Sequence, residues 1–486
     1  MSIRTQAVKG VAWSSVGTIG AGLLNFILTM ILARFLDPAD FGLLELLAIF
    51  TILSEAVIDS GFSQAIIRDK TATDKDLSSV FFLNILIGLV LYAALFACAP
   101  LIAGFYNEPK LIDVSRFAFL VLIFNSGTIV QNANYSRNLD FKRPAIASVL
   151  AICISGTLSV YMAFNDYGVW ALATNMVAYA GLKMLFFWVF SRWKPILAFS
   201  RQSLRKYFAF GGFLLIQGLV DKFVSNLESL LIGKVYTKAQ LGYFSQARKL
   251  DSYIAQTTTS VIQRVTYPLL AKINNGTQEL KSGYRRILKI TMFAMVPLML
   301  FSVASADNMI FTFFGPKWAK TVPYFQIWCL CGLLVSFYSI FINLIMVKGK
   351  SKNLLMISLA RQALRILVIV LLLHIGIMQM LYGILAVTLL SAMVYSVYSM
   401  HLIGYRIREL AADMLPIVAT ALVAGTVTFF LPKVLNLETS IPLFFGQMAV
   451  MATIYLLLNA LTKNATFLEV KDIFGSMIKR KKVDSL

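Results

Sequence analysis

Long apolar stretches recur along almost the whole chain, and short polar turns separate them. About 20 apolar residues in a helix are enough to cross a hydrocarbon core of about 30 Å. Clusters such as Asp-Pro, Asn-Glu-Pro and Gly-Pro-Lys are typical of the turns between such helices. The pattern predicts an all-α polytopic membrane protein with about 14 transmembrane helices. The predicted spans cover residues 8–36, 40–66, 76–104, 111–138, 142–164, 168–191, 203–236, 239–272, 280–305, 320–347, 352–374, 378–403, 410–431 and 438–462.

The charges between these spans predict how the chain is oriented. If the N-terminus is cytoplasmic, the inner loops and tails carry about 30 Lys and Arg residues and the outer ones about 7, which is the asymmetry that the positive-inside rule requires. We therefore expect both termini on the cytoplasmic side of a multi-pass membrane protein.

Composition agrees with this interpretation and excludes several functions. The 486 residues are 58% hydrophobic and 14% charged, with a mean hydropathy of +0.76. The net charge is +21, and the Lys and Arg residues that produce it flank the apolar segments. They form no soluble basic face, which argues against nucleic-acid binding. All 4 cysteines fall inside apolar segments and the 2 histidines are far apart in sequence. We therefore expect no metal site, no cofactor and no catalytic residues.

A repeat divides the chain. "LARFLDPADFGLLELL" at residues 32–47 is echoed by "IGKVYTKAQLGYFSQA" at residues 232–247, so that Arg34 corresponds to Lys234 and Gly42 to Gly242. Parallel repeats in transporters place a substrate path between their halves. We expect two pseudo-symmetric six-helix lobes and two further C-terminal helices. The predicted divisions are 1–200, 201–405 and 406–486, the first ending in a basic amphipathic linker on the inner membrane surface and the last in an amphipathic cytoplasmic tail.

Several spans carry polar side chains at steps of three or four residues, which places each set on one helix face. An acid near the bilayer centre costs about 2.5–3.5 kcal/mol and should face protein or a wet cavity. The serine, threonine and glycine members of the stripes fit cavity lining and interhelical packing equally well. The candidates for cavity lining and ion coupling are Glu55, Asp59, Asp221 and Glu228.

Basic residues within the spans are candidates for binding an anionic group. Arg34 and Lys234 are interpreted as structural, because they lie at span ends and off the polar faces, where long cations reach the interface. The alternative for the others is pairing within the protein, for example of Lys222 with Asp221 or of Arg248 with Asp251. The candidates for pyrophosphate or glycan contact are the basic residues Arg361, Arg365, Arg248, Lys222, Lys183 and Arg264. The polar residues Asn25 and Gln256 of the stripes are candidates for the same contact.

Five stretches carry a resemblance to a known family. They are "LARFLDPADFGLL", "IDSGFSQAIIR", "YSRNLDFKR", "QRVTYPLLAKI" and "FFGPKWAKTVPYFQIWCLCGLL". The chain resembles the polysaccharide-transporter (Wzx-type) family of lipid-linked oligosaccharide flippases, within the multidrug/oligosaccharidyl-lipid/polysaccharide exporter superfamily. It is most similar to members that export colanic-acid or lipopolysaccharide-type repeat units.

The resemblance implies a function and a location. It implies that an undecaprenyl-pyrophosphate-linked repeat unit moves from the cytoplasmic to the outer leaflet of a bacterial inner membrane by alternating access. Expected partners are the lipid-linked oligosaccharide, membrane lipids, a H⁺ or Na⁺ counter-ion, a polysaccharide polymerase and a chain-length regulator.

Two other functions remain alternatives from the sequence. A cation-coupled multidrug antiporter of the same superfamily predicts an acid-dominated cavity, whereas this chain adds arginines deep in its spans. A membrane polymerase or ligase predicts a substantial charged outer loop, whereas every outer connection here is shorter than about 15 residues by the predicted span limits.

Overall fold

The computed structural model describes residues 3–69, 71–254 and 277–472, and these residues form helices and short connections without any β-strand. A 3₁₀ turn at Pro316–Trp318 and a helical tail segment at 465–472 accompany the α-helices. The helices are α1 Ile3–Phe35, α2 Pro38–Asp59, α3 Phe62–Arg68, α4 Asp74–Tyr106, α5 Leu111–Ala118, α6 Leu120–Ser126, α7 Ile129–Arg137, α8 Lys142–Phe164, α9 Val169–Phe190, α10 Arg201–Val235, α11 at 238–254, α12 Thr277–Ala304, α13 Ala306–Phe313, α14 Thr321–Val347, α15 Ser351–Leu372, α16 Ile377–Ile403, α17 Ile407–Val434 and α18 Ile441–Leu461.

Within the described residues, 12 helical segments are long and apolar enough to cross a membrane, which confirms a multi-pass helical membrane protein. They coincide with twelve of the predicted spans. The seventh predicted span is α10, a continuous helix of 35 residues that is not among the 12 apolar segments. The eighth predicted span, 239–272, begins in α11 and then runs beyond the described residues.

The chain forms two compact units, Met1–Ser245 and Gln246–Leu486. In the first unit, α8 packs against α1 and α9, and α10 lies against α2, α3 and α4. In the second unit, α14 packs against α12 and α16, and α17 packs against α12 and α18. The division into 1–200, 201–405 and 406–486 stays a prediction.

The first turns of α2 and α11, which belong to the repeated hairpins, touch through their glycines. A Cβ on Gly42 would collide with the carbonyl group of Lys238, and a Cβ on Gly242 would collide with that of Pro38. Only glycine permits so close an approach of two backbones. The repeated sequence therefore specifies a helix crossing inside the first unit.

Lys234 has a structural environment at the end of α10. Its Nζ donates a hydrogen bond of 2.5 Å to the carbonyl oxygen of Phe105 and lies 4.3 Å from the centre of that ring. Phe105 is in the last turn of α4, where a cation compensates the partial negative charge of the helix end. The side chain is exposed, as expected for a cation that reaches the membrane interface.

An ion-pair network fastens α17 to α12 in the second unit. The guanidinium group of Arg285 donates to both oxygens of Asp413 at 2.7 and 2.8 Å, and Lys281 pairs with Glu409 at 2.8 Å. Tyr405 donates a further hydrogen bond of 2.7 Å to Asp413. Helix α17 is therefore held to α12 by charged contacts as well as by packing.

Candidate functional site

Two membrane-spanning segments of the first unit are broken helices. The second span consists of α2 and α3, separated by Ser60 and Gly61, whose φ angles of 45° and 73° are left-handed. The fourth span consists of α5, α6 and α7, with interruptions at Phe119 and at Gly127 and Thr128. Irregular backbone at membrane depth is tolerated where protein or a wet cavity satisfies its polar groups. Both breaks are therefore places to look for a polar site.

A cavity of about 230 Å³ lies beside these breaks. Seven of the ten described residues that line it are polar or charged. The lining residues come from α2, α3, α9 and the α6–α7 region, and they are Glu55, Ile58, Asp59, Ser63, Asn125, Thr128, Ile129, Asn132, Lys183 and Phe187. The structure therefore brings together three of the residues predicted from the sequence, namely Glu55, Asp59 and Lys183.

Glu55 is the central acid of the cavity. The side chain is half-buried, and Oε1 accepts a hydrogen bond of 2.6 Å from Nδ2 of Asn125. The charges of Lys222 and Lys183 both act on this carboxyl group. A half-buried carboxyl group with one amide donor and two nearby cations is chemically able to exchange a proton or a small cation with water in the cavity.

Lys183 contributes a cation from α9. Its Nζ lies 5.7 Å from the ring centre of Tyr179 and 5.5 Å from that of Phe187. Lys183 takes part in none of the ion pairs formed among the described residues. Aromatic faces stabilise an ammonium group without neutralising it. Lys183 therefore contributes a positive charge to the cavity that acts on Glu55 without forming a close ion pair with it.

Asp59 makes different contacts from Glu55. Its Oδ1 accepts hydrogen bonds from the hydroxyl group of Ser63 at 2.5 Å and from the backbone N–H of Ser63 at 3.2 Å. Ser63 lies in the first turn of α3, whose N–H groups have no partner within their own helix. The side chain thus acts as a cap for the helix that follows the break.

The other predicted residues of the first unit are not among the described lining residues of this cavity. On α10, Asp221 is exposed, Lys222 is half-buried and Glu228 is fully buried. On α1, Asn25 is half-buried and its side chain bonds back to the carbonyl oxygen of Ala21 at 3.0 Å. This hydrogen bond lies within one helix, so the assignment of Asn25 to the cargo site stays a prediction.

Two predicted arginines share an environment in the second unit. Arg361 and Arg365 are half-buried on α15, and the charges of both act on the phenol group of Tyr338. Nη1 of Arg361 lies 3.5 Å from Oη of Tyr338, and its guanidinium carbon lies 6.0 Å from the ring centre. Tyr338 in turn stacks on Tyr395, with ring centres 5.3 Å apart. The two cations therefore form one basic face on α15.

The remaining candidates lie in α11 or outside the described residues. Arg248 is half-buried, and Asp251, its suggested partner, is buried on the same helix. Gln256 and Arg264 lie outside the described residues.

Three polar lining residues were not identified from the sequence, namely Asn125, Thr128 and Asn132. Their spacing of three and then four residues is the signal that identified the other polar stripes. The breaks at Gly127 and Thr128 obscure this signal, because they interrupt the helix on which a face would be counted.

The broken helices and the charged cavity define a multi-pass membrane protein with a polar cavity among the helices of its first unit. A family model described as "Polysaccharide biosynthesis protein" matches residues 31–323, and the chain belongs to this family.

Curated relatives have names from the same field. The teichuronic acid biosynthesis protein TuaB of Bacillus subtilis is 26% identical over 338 residues, which are 68% of this chain and 69% of that protein. The lipopolysaccharide biosynthesis protein WzxC of Escherichia coli is 26% identical over 72% of each chain. The succinoglycan biosynthesis transport protein ExoT of Rhizobium meliloti is 21% identical over 65% of this chain and 64% of its own length.

Solved structures show that the fold is shared with membrane transporters. The lipid II flippase MurJ, in an inward closed conformation, superposes with a TM-score of 0.68 at 16% identity, covering 92% of this chain and 98% of that one. An inward-facing MATE-family multidrug resistance transporter superposes with a TM-score of 0.59 at 14% identity, covering 82% of this chain and 98% of that one.

Proposed function

We propose that this protein is a flippase that carries a lipid-linked oligosaccharide repeat unit across a bacterial inner membrane for lipopolysaccharide or exopolysaccharide synthesis. The observation that carries the proposal is the charged cavity at the helix breaks, in which Lys183 lies against two aromatic rings and forms no close ion pair with a described residue. Membership of a polysaccharide biosynthesis family and the fold of a lipid II flippase support it.

The chemistry of the cargo fits such a site. A lipid diphosphate presents a compact anionic group between an apolar tail and a polar glycan. Ammonium and guanidinium groups held against aromatic rings can bind phosphate oxygens by charge-assisted hydrogen bonds. Lys183 in the first unit, and Arg361 with Arg365 in the second, are the side chains that we assign to this task. The lipid tail stays in the bilayer while the head moves.

A glycan assay in a bacterial strain that lacks its own flippase tests this function. The chain should restore export, whereas the strain without it should accumulate single lipid-linked repeat units on the inner leaflet. A polymerase defect would instead export single units without elongating them. Restored chain elongation without restored export would contradict the proposal.

The multidrug antiporter is the second candidate, because the MATE transporters share the fold. Proteoliposomes separate the two functions. A flippase should move lipid-linked oligosaccharide across the proteoliposome membrane and should not transport cationic dyes. An antiporter should transport the dyes and leave the lipid-linked oligosaccharide in place.

We propose further that an ion gradient or the membrane potential drives transport through Glu55. Each charge that crosses the membrane gains about 2.3 kcal/mol per 100 mV. Asp221 and Glu228 remain candidates for the same task, whereas the capping contacts of Asp59 favour a structural role. Glu55→Gln should abolish the dependence of transport on the H⁺ or Na⁺ gradient. Transport that is unchanged after both gradients and the voltage are collapsed would contradict ion coupling.

The orientation and the partners complete the proposal. Both termini face the cytoplasm. Reporter fusions at residue 486 test the orientation, because a reporter that is active only in the periplasm should stay silent there. A polymerase and a chain-length regulator would receive the exported units, and crosslinking in cells that make the polysaccharide tests both contacts.

A further inference from the structure

The connector between α9 and α10, residues 191–200, is an irregular segment with a defined position. The backbone N–H of Ile196 donates to Oγ of Ser78 at 3.0 Å, and that of Ser200 donates to Oγ of Ser79 at 2.8 Å. Both serines lie near the start of α4 and are fully buried. The connector is therefore attached to the first unit by its own backbone.

Trp193 holds the first part of the connector in place. Its side chain is buried in a cluster with Phe81 and Tyr207, and its ring centre lies 6.2 Å from that of Phe81. Oγ of Ser191 donates to the carbonyl oxygen of Trp193 at 3.0 Å. These contacts leave the intervening residues little conformational freedom.

Three apolar side chains of the anchored segment point away from the protein. Leu197 is 98% exposed, Phe199 61% and Ile196 47%. Exposed apolar side chains that adjoin each other on a protein surface mark a site of contact with an apolar partner. Because the backbone on either side is held by Ser78 and Ser79, these side chains are presented by a fixed scaffold.

Cations surround the apolar side chains. Arg192 and Lys194 precede them and Arg201 and Arg205 follow them, and all four are exposed. Arg201 and Arg205 are four residues apart and lie on one face of α10. Apolar side chains flanked by Lys and Arg are characteristic of elements that insert into a membrane surface and attract anionic headgroups.

We propose that the connector is an interfacial anchor that binds anionic phospholipid headgroups. Ile196, Leu197 and Phe199 enter the bilayer below the headgroups, and Arg192, Lys194, Arg201 and Arg205 contact the phosphate groups. The combination of apolar and basic side chains favours a lipid partner over a soluble protein. A bilayer offers an apolar layer and an anionic layer at two different depths, and the two kinds of side chain match them. By the positive-inside asymmetry this is the cytoplasmic leaflet.

The anchor does not depend on the transported substrate, and its test does not measure transport. Leu197→Trp provides a fluorescent probe in the full-length protein, with the parent protein subtracted to remove its 6 native tryptophans. The protein is reconstituted in nanodiscs that contain phosphatidylcholine and phosphatidylglycerol in equal amounts, and only one of the two lipids is brominated in each preparation. Quenching reports contact of the indole with acyl chains, and the difference between the two lipids reports headgroup preference.

We expect quenching in both bilayers and stronger quenching with phosphatidylglycerol. Leu197→Trp combined with Arg201→Gln and Arg205→Gln should remove this preference. Each lost cation should lower the relative affinity for phosphatidylglycerol by about fivefold. The quenching by phosphatidylcholine should remain. Leu101→Trp is the matched control, because Leu101 is 74% exposed on α4 without the basic cluster. It should be quenched equally by both lipids.

Two results would overturn the anchor. An indole at position 197 that is not quenched in either bilayer would show that the segment contacts water or another protein. Equal quenching by the two lipids would remove the headgroup preference. If the double arginine variant does not fold, Leu197→Trp with Arg192→Gln and Lys194→Gln provides the same comparison on the other side of the apolar residues.

Discussion

The cations of the first-unit cavity differ from those that join α12 and α17 in the second unit. Lys183 contacts two aromatic rings and no carboxylate of the described chain. Arg285 instead donates two hydrogen bonds to Asp413 and pairs with Glu409 at 3.5 Å. One charge remains available to a ligand, whereas the other is used within the protein.

This difference separates function from stability among residues of the same type. A charge in a membrane-spanning helix is costly unless a partner, a cavity or a ligand compensates it. The partner of Arg285 belongs to the protein, so removal of Asp413 leaves a cation without its counter-charge. Lys183 faces a cavity, so its removal leaves a fold that can still pack. Mutations should therefore divide cleanly into loss of transport and loss of stability.

Lys183→Met should have the largest effect on transport. It removes a charged hydrogen-bond donor worth about 1.5–3 kcal/mol, which corresponds to about ten- to a hundredfold in the initial rate of flipping in proteoliposomes. Lys433→Met is the matched control, because Lys433 also lies against a ring, 4.1 Å from the centre of Phe429, at the exposed end of α17. A parental rate in Lys183→Met would remove this residue from the site.

Asp413→Asn should lower stability and leave the transport rate per folded molecule unchanged. The loss of the paired contacts with Arg285 should cost about 2–3 kcal/mol. In detergent, the apparent unfolding temperature should fall by several degrees. Arg286→Gln serves as the comparison, because the side chain of Arg286 is 60% exposed and pairs with Glu469. Lost transport at an unchanged unfolding temperature would instead place Asp413 in the transport mechanism.

Arg361→Gln extends the comparison to the second unit. If a cation held against Tyr338 behaves like Lys183, transport should fall by about three- to tenfold, equivalent to about 0.6–1.4 kcal/mol, at an unchanged unfolding temperature. Arg408→Gln, in the exposed first turn of α17, should change neither quantity. A fall in stability without a fall in transport would assign Arg361 to packing.

Asp69→Asn should have the smallest effect, and the effect should depend on pH. The hydrogen bond from Lys206, at 2.6 Å, holds the pKa of Asp69 well below its usual range. A lowered pKa in the folded state contributes stability above the unfolded value of about 3.9, and this contribution is lost as the pH falls through the folded value. The difference in unfolding temperature between parent and variant should be constant from pH 7 to pH 5 and close below about pH 4. A difference that grows in acid would contradict this assignment.

Much of the fold was predictable, because the hydropathy that identifies a span depends only on the residues of that span. Twelve predicted spans match apolar helices, and the repeat correctly indicated an equivalence between Gly42 and Gly242. The breaks were not predicted. Ser60 and Gly61 lie within a stretch that remains apolar on average, so a hydropathy window passes over them.

The candidate site was predictable only in part, for a related reason. Polar spacing on single helices identified Glu55 and Asp59, and it gave both the same role. In the structure their hydrogen-bond partners differ. Asp59 bonds to Ser63, four residues away, whereas Glu55 bonds to Asn125, which is 70 residues away.

The sequence by itself determined that this chain spans a membrane many times, contains a duplicated hairpin and carries charges inside its spans. These properties follow from hydropathy and periodicity along one segment at a time. Only the tertiary structure decided which charged side chains lie near one another. Arg285 and Asp413, for example, are 128 residues apart, and Lys183 meets Glu55 in one cavity through the packing of α9 near α2. Pairing between helices depends on distances of a few ångströms, which the spacing of residues along one helix does not contain.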